Sequence, residues 1–294
     1  MTPRDPTERD VELLESHETD IFAGFEGDIP GEPGRLETWI RAYGPAAAAF
    51  VVVLALWEIL TRALDIETFL LPKPSEILDR FITNAPIIWG HGFRTLVEAL
   101  GGFVIGGTLA VAMAFATVRW AAIREGLLPF AIAANTMPII ALAPIANNWF
   151  NVTSPLSKMA VVSVIVFFPV MINTTRGLFE VDPGELDLLR SMAATPREVL
   201  RHVRIPNALP YFFSALKVAS TLSIIGAIVA EYFGGPQDVL GQYILNRANL
   251  FQFPDAWAAI LVASILGIAF YVLIVLVERL AMPWHVSLRA TEGG

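Results

Sequence analysis

Three glutamates, Glu58, Glu98 and Glu231, border or interrupt the long apolar runs of this 294-residue chain, and they are the first residues to weigh for chemistry. A carboxylate near a membrane span costs a few kcal/mol unless it is hydrated or paired. Each must therefore be a hydrated or hydrogen-bonded group at an interface, or a relay for a proton or substrate. Hydrolysis inside a membrane would require a nucleophile with its base, or paired carboxylates. All three glutamates lie near span ends, and none has a partner at a readable sequence spacing. His17, His91, His202 and His285 are scattered and form no ligand spacing such as H-E-x-x-H, so no metal site is expected. Cysteine is absent, which removes thiolate ligands, disulfides and cysteine nucleophiles. The phosphate-cradling pattern G-x-x-x-x-G-K-[ST] does not occur, so this chain is not expected to bind ATP itself. The residue types point away from catalysis.

The elements that position these residues are membrane helices. The chain is 55% hydrophobic and 16% charged, with mean hydropathy +0.58, too apolar for an ordinary soluble domain. The fold class expected is all-α and polytopic, with six transmembrane helices at about 44–60, 99–118, 126–157, 159–175, 211–233 and 256–277. Lys217 and Glu231 stand close to the ends of the fifth span, where they can snorkel or face protein. The third interval holds Pro129, Pro138 and Pro144 with Asn135, Thr136, Asn147 and Asn148, so it is not a uniform lipid-facing helix. Interhelical hydrogen bonding and the lining of a path both account for those polar residues. Asn135, Asn147, Asn148 and Glu231 are accordingly the candidate pathway residues. Gly101, Gly102, Gly106 and Gly107 give the second span small-residue spacings suited to close helix packing.

Residues 1–38 hold eleven acidic and three basic residues, enough to account for the whole formal net charge of −8. This Pro- and Gly-punctuated stretch reads as a disordered, solvated tail, with a membrane domain over 39–286 and a short tail over 287–294. With the N-terminus inside, basic loop residues divide 11 inside to 6 outside, the direction the positive-inside rule requires. Lys158 falls in an outer loop on that count, and both termini are cytoplasmic. Also outside, Leu71–Ile77 reads as an extended segment entering a short amphipathic helix capped by Ser75, and 240–250 as a short surface helix.

One segment breaks the apolar pattern. Between Val181 and Pro210 lies a thirty-residue polar insert, read as two short helices with matching start signals, Asp182-Pro183-Gly184-Glu185 and Thr195-Pro196-Arg197-Glu198. Each supplies a cap oxygen, a proline at the first helical position and a glutamate able to reach back to the cap amide. Leu186, Leu189 and Met192 fall on one side of the first helix, and Val199, Leu200 and Val203 on one side of the second. Arg190, Arg197, Arg201 and Arg204 remain for water or phosphate headgroups. A helix pair so specified, between spans and on the cytoplasmic side, reads as a docking element.

The insert resembles the cytoplasmic EAA loop of binding-protein-dependent ABC importer permeases, E-A-A-x-x-x-G-x9-I-x-L-P. Asp187, Leu188 and Leu189 stand at E-A-A, Ala193 stands at the glycine, and Val203-Arg204-Ile205-Pro206 stands at I-x-L-P. Further landmarks in order are Trp57-Glu58, Leu71-Pro72-Lys73-Pro74-Ser75, Met137-Pro138 to Ala143-Pro144, Trp149-Phe150, Phe167-Phe168-Pro169, Asn173-Thr174, Glu231-Tyr232-Phe233-Gly234-Gly235 and Pro283-Trp284-His285. They are similar to the branch with permeases for taurine, aliphatic sulfonates, nitrate or bicarbonate, and thiamin-pyrimidine precursors or riboflavin. The resemblance implies the permease subunit of an ATP-driven importer of a small solute in the bacterial inner membrane. It implies as partners an ABC ATPase subunit that carries ATP and Mg, an extracytoplasmic solute-binding protein, a second copy of the permease, and the lipid bilayer; no nucleic acid and no cofactor in this chain are expected. It assigns ATPase coupling to Asp187, Leu188, Leu189, Ala193, Ala194, Thr195, Arg197, Leu200, Val203, Ile205 and Pro206. Ala193 matters if its turn needs positive φ, at a cost of about 1 kcal/mol to an L-residue; otherwise the turn uses another backbone state. Leu188 and Leu189 are bulkier than the family's two alanines, and Asn151 stands where a glycine often follows Trp-Phe. The alternative is a self-contained secondary transporter or channel, which would place coupling-ion residues at mid-membrane and need no docking loop.

Overall fold

The computed structural model describes residues 35–126 and 141–283. The chain divides into a unit ending at Trp57 and a unit that begins at Glu58. The acidic segment 1–34, the stretch 127–140 with Asn135, Met137 and Pro138, and residues 284–294 lie outside the described residues.

The described residues are helical throughout their regular structure. In order they are α1 (Arg35–Ala63), α2 (Pro74–Thr83), α3 (Ala85–Arg119), α4 (Leu142–Phe150), α5 (Pro155–Phe179), α6 (Pro183–Ser191), α7 (Pro196–Val199), α8 (Ile205–Tyr232), α9 (Leu240–Asn249) and α10 (Phe253–Ala281). Five stretches are long and apolar enough to cross a membrane: Gly44–Ala63, Ala85–Arg119, Pro155–Phe179, Pro196–Tyr232 and Phe253–Ala281. These correspond to five of the six expected spans. Of the expected third, 127–140 lies outside the described residues, and the remainder is not one span: it holds the short helix α4, a loop and the first residues of α5.

The spans are longer than their charge-free cores. Glu98, expected near a span end, sits well inside the 35-residue α3, and Lys158, expected in an outer loop, sits in the first turn of α5. Charge-free length sets the minimum of a membrane helix, whereas the helix itself continues as long as caps and packing support it. α5 starts where Ser154 accepts from the amide of Leu156 (3.3 Å), next to Pro155 at the first helical position.

The core lies among α3, α5, α8 and α10, where Phe103, Val162, Val166, Val170, Ala219, Ala227 and Phe270 are buried together. Phe103 and Phe270 meet edge to face at 4.9 Å between ring centroids. α3 and α5 approach backbone to backbone. A Cβ added at Gly106 would lie 2.3 Å from the carbonyl oxygen of Ser163, and one at Gly102 would lie 2.7 Å from that of Met159. Gly101 faces the flexible side chain of Met159, while Gly107 has open space beside it and is not part of the contact. Outward faces are apolar: Phe50, Ile59, Val104, Ile225, Ile268 and Leu280 are all exposed, as a lipid-facing surface requires.

Two short helices differ from expectation. α2 has no side-chain cap; Ser75 lies inside it, and its amide and hydroxyl both donate to Glu58, at 3.0 and 2.8 Å. Glu58 also accepts from Arg62 Nε at 2.6 Å. The carboxylate thus caps another helix through Ser75, seventeen residues later in the chain, satisfying an orphan amide where the dipole favours negative charge. α9 is not a surface helix, because Leu240, Gly241, Gln242, Tyr243 and Ile244 are buried against α3, α8 and α10.

The α3–α5 contact yields a paired expectation. Gly106→Ala should destabilise the protein by about 1–3 kcal/mol, because backbone cannot retreat as a side chain can. Gly107→Ala should be neutral or stabilising, up to about 1 kcal/mol. Thermal unfolding of the two variants in the same detergent distinguishes them.

Candidate functional site

The insert is held at its root by the end of α5. Asn207 Nδ2 donates to the carbonyls of Gly177 (2.8 Å) and Glu180 (2.9 Å), which the helix end would otherwise leave unpaired. The guanidinium groups of Arg124 and Arg204 lie over the ring of Phe179, at 4.8 and 5.0 Å from its centroid. Arg204, expected to be free for water or headgroups, is therefore engaged.

The two start signals behave differently. At α7 the capping box is complete: Glu198 N donates to Thr195 Oγ1 (3.4 Å), and Glu198 Oε2 accepts from Thr195 N (2.7 Å). At α6 only half of it forms, with Asp182 Oδ1 accepting from Gly184 N at 2.6 Å and Glu185 making no return bond. The tight turn around Pro183-Gly184 brings the second helical amide, rather than the third, to the cap oxygen.

α6 ends in a Schellman arrangement, with Ala193 N donating to Arg190 O and Ala194 N to Leu189 O, both at 3.0 Å. Its left-handed residue is Ala193, at φ 56°. The family's glycine position does require positive φ here, and alanine occupies it with strain. Asn151 adopts positive φ as well, at 73°, and its Oδ1 accepts from Thr153 N at 3.2 Å.

The second short helix is not separate. α7 runs through one wide turn, Leu200–Arg204, directly into α8, so Pro196–Tyr232 is a single helical rod. In the wide turn Ile205 N donates to Leu200 O, five residues back. Pro206 has no amide to donate to His202, and its ring crowds that carbonyl, so the extra residue per turn relieves the clash.

Exposure sorts the candidate coupling residues. Leu188 and Met192, one turn apart on α6, are 62% and 70% exposed. Leu186 and Leu189 are half-buried, so the outward apolar face is Leu188–Met192 and not the expected Leu186, Leu189 and Met192. Asp187 pairs with Arg190 at 3.1 Å, and Arg197 and Pro206 are exposed. Leu200 and Ile205 pack against Ala114, Leu178 and Ala208 in the protein's own interior. Val203 and Ala194 are half-buried, and Thr195 is occupied as the cap.

At the far end of α8 the structure gathers residues that the sequence left apart. Glu231 is 0% exposed, Lys158 0% and Glu98 3%, and they come from α8, α5 and α3. The two carboxylates and the ammonium are mutual electrostatic neighbours. Lys158 Nζ donates to Asn147 Oδ1 (3.2 Å), Ser157 Oγ (3.0 Å) and the carbonyl of Val152. Glu231 Oε2 accepts from Gly241 N at 2.5 Å, and its carbonyl accepts from Gln242 Nε2 at 2.5 Å. Glu231 is thus an interior residue with partners. Asn147 also joins this network, donating to Phe233 O at 3.2 Å, whereas Asn148 is exposed. Asn135 lies outside the described residues. Nearer the insert, Lys217 faces protein and pairs with Glu278 at 2.9 Å between α8 and α10. No cluster of three or more metal-ligating side chains occurs among the described residues.

The pattern of the family described as "Binding-protein-dependent transport system inner membrane component" matches residues 102–283. The chain is similar to the formylaminopyrimidine transport permease protein ThiX of Halalkalibacterium halodurans, with 31% identity over 80% of this chain and 94% of that one. It is 28% identical to the putative aliphatic sulfonates transport permease protein SsuC of Escherichia coli, over 82% of this chain and 92% of the relative. The nitrate import permease protein NrtB of Synechocystis is 25% identical, over 81% and 88%. Among solved structures, the chain shares its fold with one titled "Crystal structure of an amino acid ABC transporter with histidines", at TM-score 0.54 and 18% identity, over 67% of this chain and 95% of that one.

The strained turn gives the second expectation. Ala193→Gly should stabilise the insert by about 1 kcal/mol, and Ala193→Val should destabilise it by more. Amide exchange over residues 186–200 reads both effects locally.

Proposed function

We propose, from the premise that this chain belongs to the family of binding-protein-dependent transport system inner membrane components, that it couples an ABC ATPase to the import of a small solute through α6 and α7. The chain is a multi-pass membrane permease and a transport component, not a catalyst. The observation that carries the coupling is the exposed Leu188–Met192 face on a capped helix, rooted in α5 by Asn207 and continuous with α8 through α7. An apolar pair offered to water on a well-specified helix is a surface to be covered. Arg197 and Asp187 border it as polar rim, while Leu200, Val203 and Ile205 act inward, tying the rod to the bundle. Ala193, Ala194 and Thr195 fix the angle between the two helices, and Pro206 sets the wide turn through which motion reaches α8.

In this reading ATP and Mg are bound by the partner, and the insert faces the cytoplasm with both termini. An extracytoplasmic binding protein delivers the solute, and a second copy of the chain completes the path at the face left apolar by α8 and α10. The solute class follows the named relatives: a formylated aminopyrimidine or another vitamin precursor, or a small anion such as a sulfonate or nitrate. The pyrimidine class is placed first because ThiX has the higher identity of the three relatives compared. Asn148 and, beyond the described residues, Asn135 are the candidate path-lining amides; Asn147 and Glu231 support that region from the interior.

Co-purification tests the coupling. Leu188→Asp with Met192→Asp should reduce recovery of an ATPase subunit with the tagged permease by at least about tenfold, the loss of roughly 1.4 kcal/mol or more of association. Unchanged recovery from equally folded protein, or transport by the chain alone in liposomes driven by an ion gradient, would overturn it.

A further inference from the structure

Glu98, Lys158 and Glu231 present two carboxyls to one ammonium in the protein interior, with exposures of 3%, 0% and 0%. Glu98 Oε2 and Glu231 Oε1 are each buried without a hydrogen-bond partner. Lys158 directs its donated bonds to Asn147, Ser157 and Val152, so it does not supply the missing donor to either oxygen. If all three groups were ionised, the trio would carry one uncompensated negative charge, which a protein interior does not hold without large cost.

Among the described residues, the surrounding groups do not cancel that charge. α3 brings the uncharged Thr95, whose hydroxyl neighbours Glu231 and accepts from Leu240 N at 3.0 Å; it also brings His91 and Arg94, but these face Asp238, and Arg94 is ion-paired with it. Asp238 itself adds negative potential at Glu98. α8 adds the phenol of Tyr232, α9 brings Gln242 and α4 brings Asn147, all uncharged at neutral pH. Asp255 at the start of α10 accepts from Asn84 and serves a different contact. Side chains this buried leave no room for a hydrated ion, whereas a proton adds no volume.

We propose that Glu98 and Glu231 form a proton-binding site, sharing one proton at neutral pH beside the Lys158 ammonium. Like carboxyls held together in an enclosed site retain one proton between them. The shared proton neutralises the trio and places a donor between the two carboxyls. It thereby joins α3, α5 and α8 at the end of the bundle remote from the insert. This inference does not depend on an ATPase partner, so its failure and that of the coupling reading are separate.

Infrared spectra of the purified full-length chain in lipid nanodiscs, with and without carbon-13 glutamate, test it. At neutral pH one protonated-carboxyl band that moves with the label is expected, lost in both Glu98→Gln and Glu231→Gln, because either variant leaves one carboxylate balanced by Lys158. Lys158→Gln should double the band. Glu98→Asp keeps the charge count and serves if the amides do not fold: it should retain the proton while reducing the label-sensitive signal. Absence of any label-sensitive protonated carboxyl in the folded wild-type chain, or its persistence unchanged in both glutamine variants, overturns the proposal.

Discussion

The backbones of α3 and α5 approach each other at Gly106, which faces the backbone of Ser163, and at Gly102, which faces Val162 and the Met159 carbonyl, and the rest of the bundle is arranged around that approach. In lipid, apolar side chains gain nothing by leaving one oily phase for another, so helices associate by contact area and by whatever polar bonds they can close. Close approach maximises the first. It also fixes where everything else on the two helices lies, including Glu98 on α3 and Lys158 on α5. Phe103 then reaches Phe270 on α10, and Val162 and Val166 reach the alanines of α8.

Charges follow the same economy. Several ionisable groups within the spans are placed where another helix answers them: Glu58 at the amide and hydroxyl of Ser75, Lys217 at Glu278, and Lys158 beside Glu98 and Glu231. These pairs join different helices. Between them the core is alanine, valine and aromatic packing. Such polar links specify which helix neighbours which, a task that apolar contacts among similar side chains perform poorly.

The insert joins this frame as an extension of a span. A continuous helical rod from Pro196 to Tyr232 connects an exposed polar turn at one end with the buried Glu231 at the other. The wide turn at Leu200–Arg204 lies near its root, set by Pro206 and stabilised by Leu200 and Ile205 packing inward. A displacement of α6 and α7 would therefore be carried by helix geometry rather than by a flexible loop.

Composition and local pattern determined the all-helical membrane class, the location of five spans, and the start signals of α6 and α7, because those depend on neighbours within a few residues. The family resemblance placed Ala193 at a glycine position, but whether that turn needs positive φ was decided only by the structure. Partnership between distant residues was not legible. Glu98 and Lys158 are sixty residues apart and Glu231 lies farther still, so no spacing marks them as one cluster. Ser75 looked like a cap because its type suits the role, yet Glu58 performs it from another helix. Lys158 looked like a loop residue because charge usually ends a span; burial with two carboxylates reverses that rule. The sequence by itself determined what each segment is, since secondary structure and membrane affinity sum over adjacent residues. Only the tertiary structure decided which charged groups meet, since that is set by the helix contacts that close the bundle.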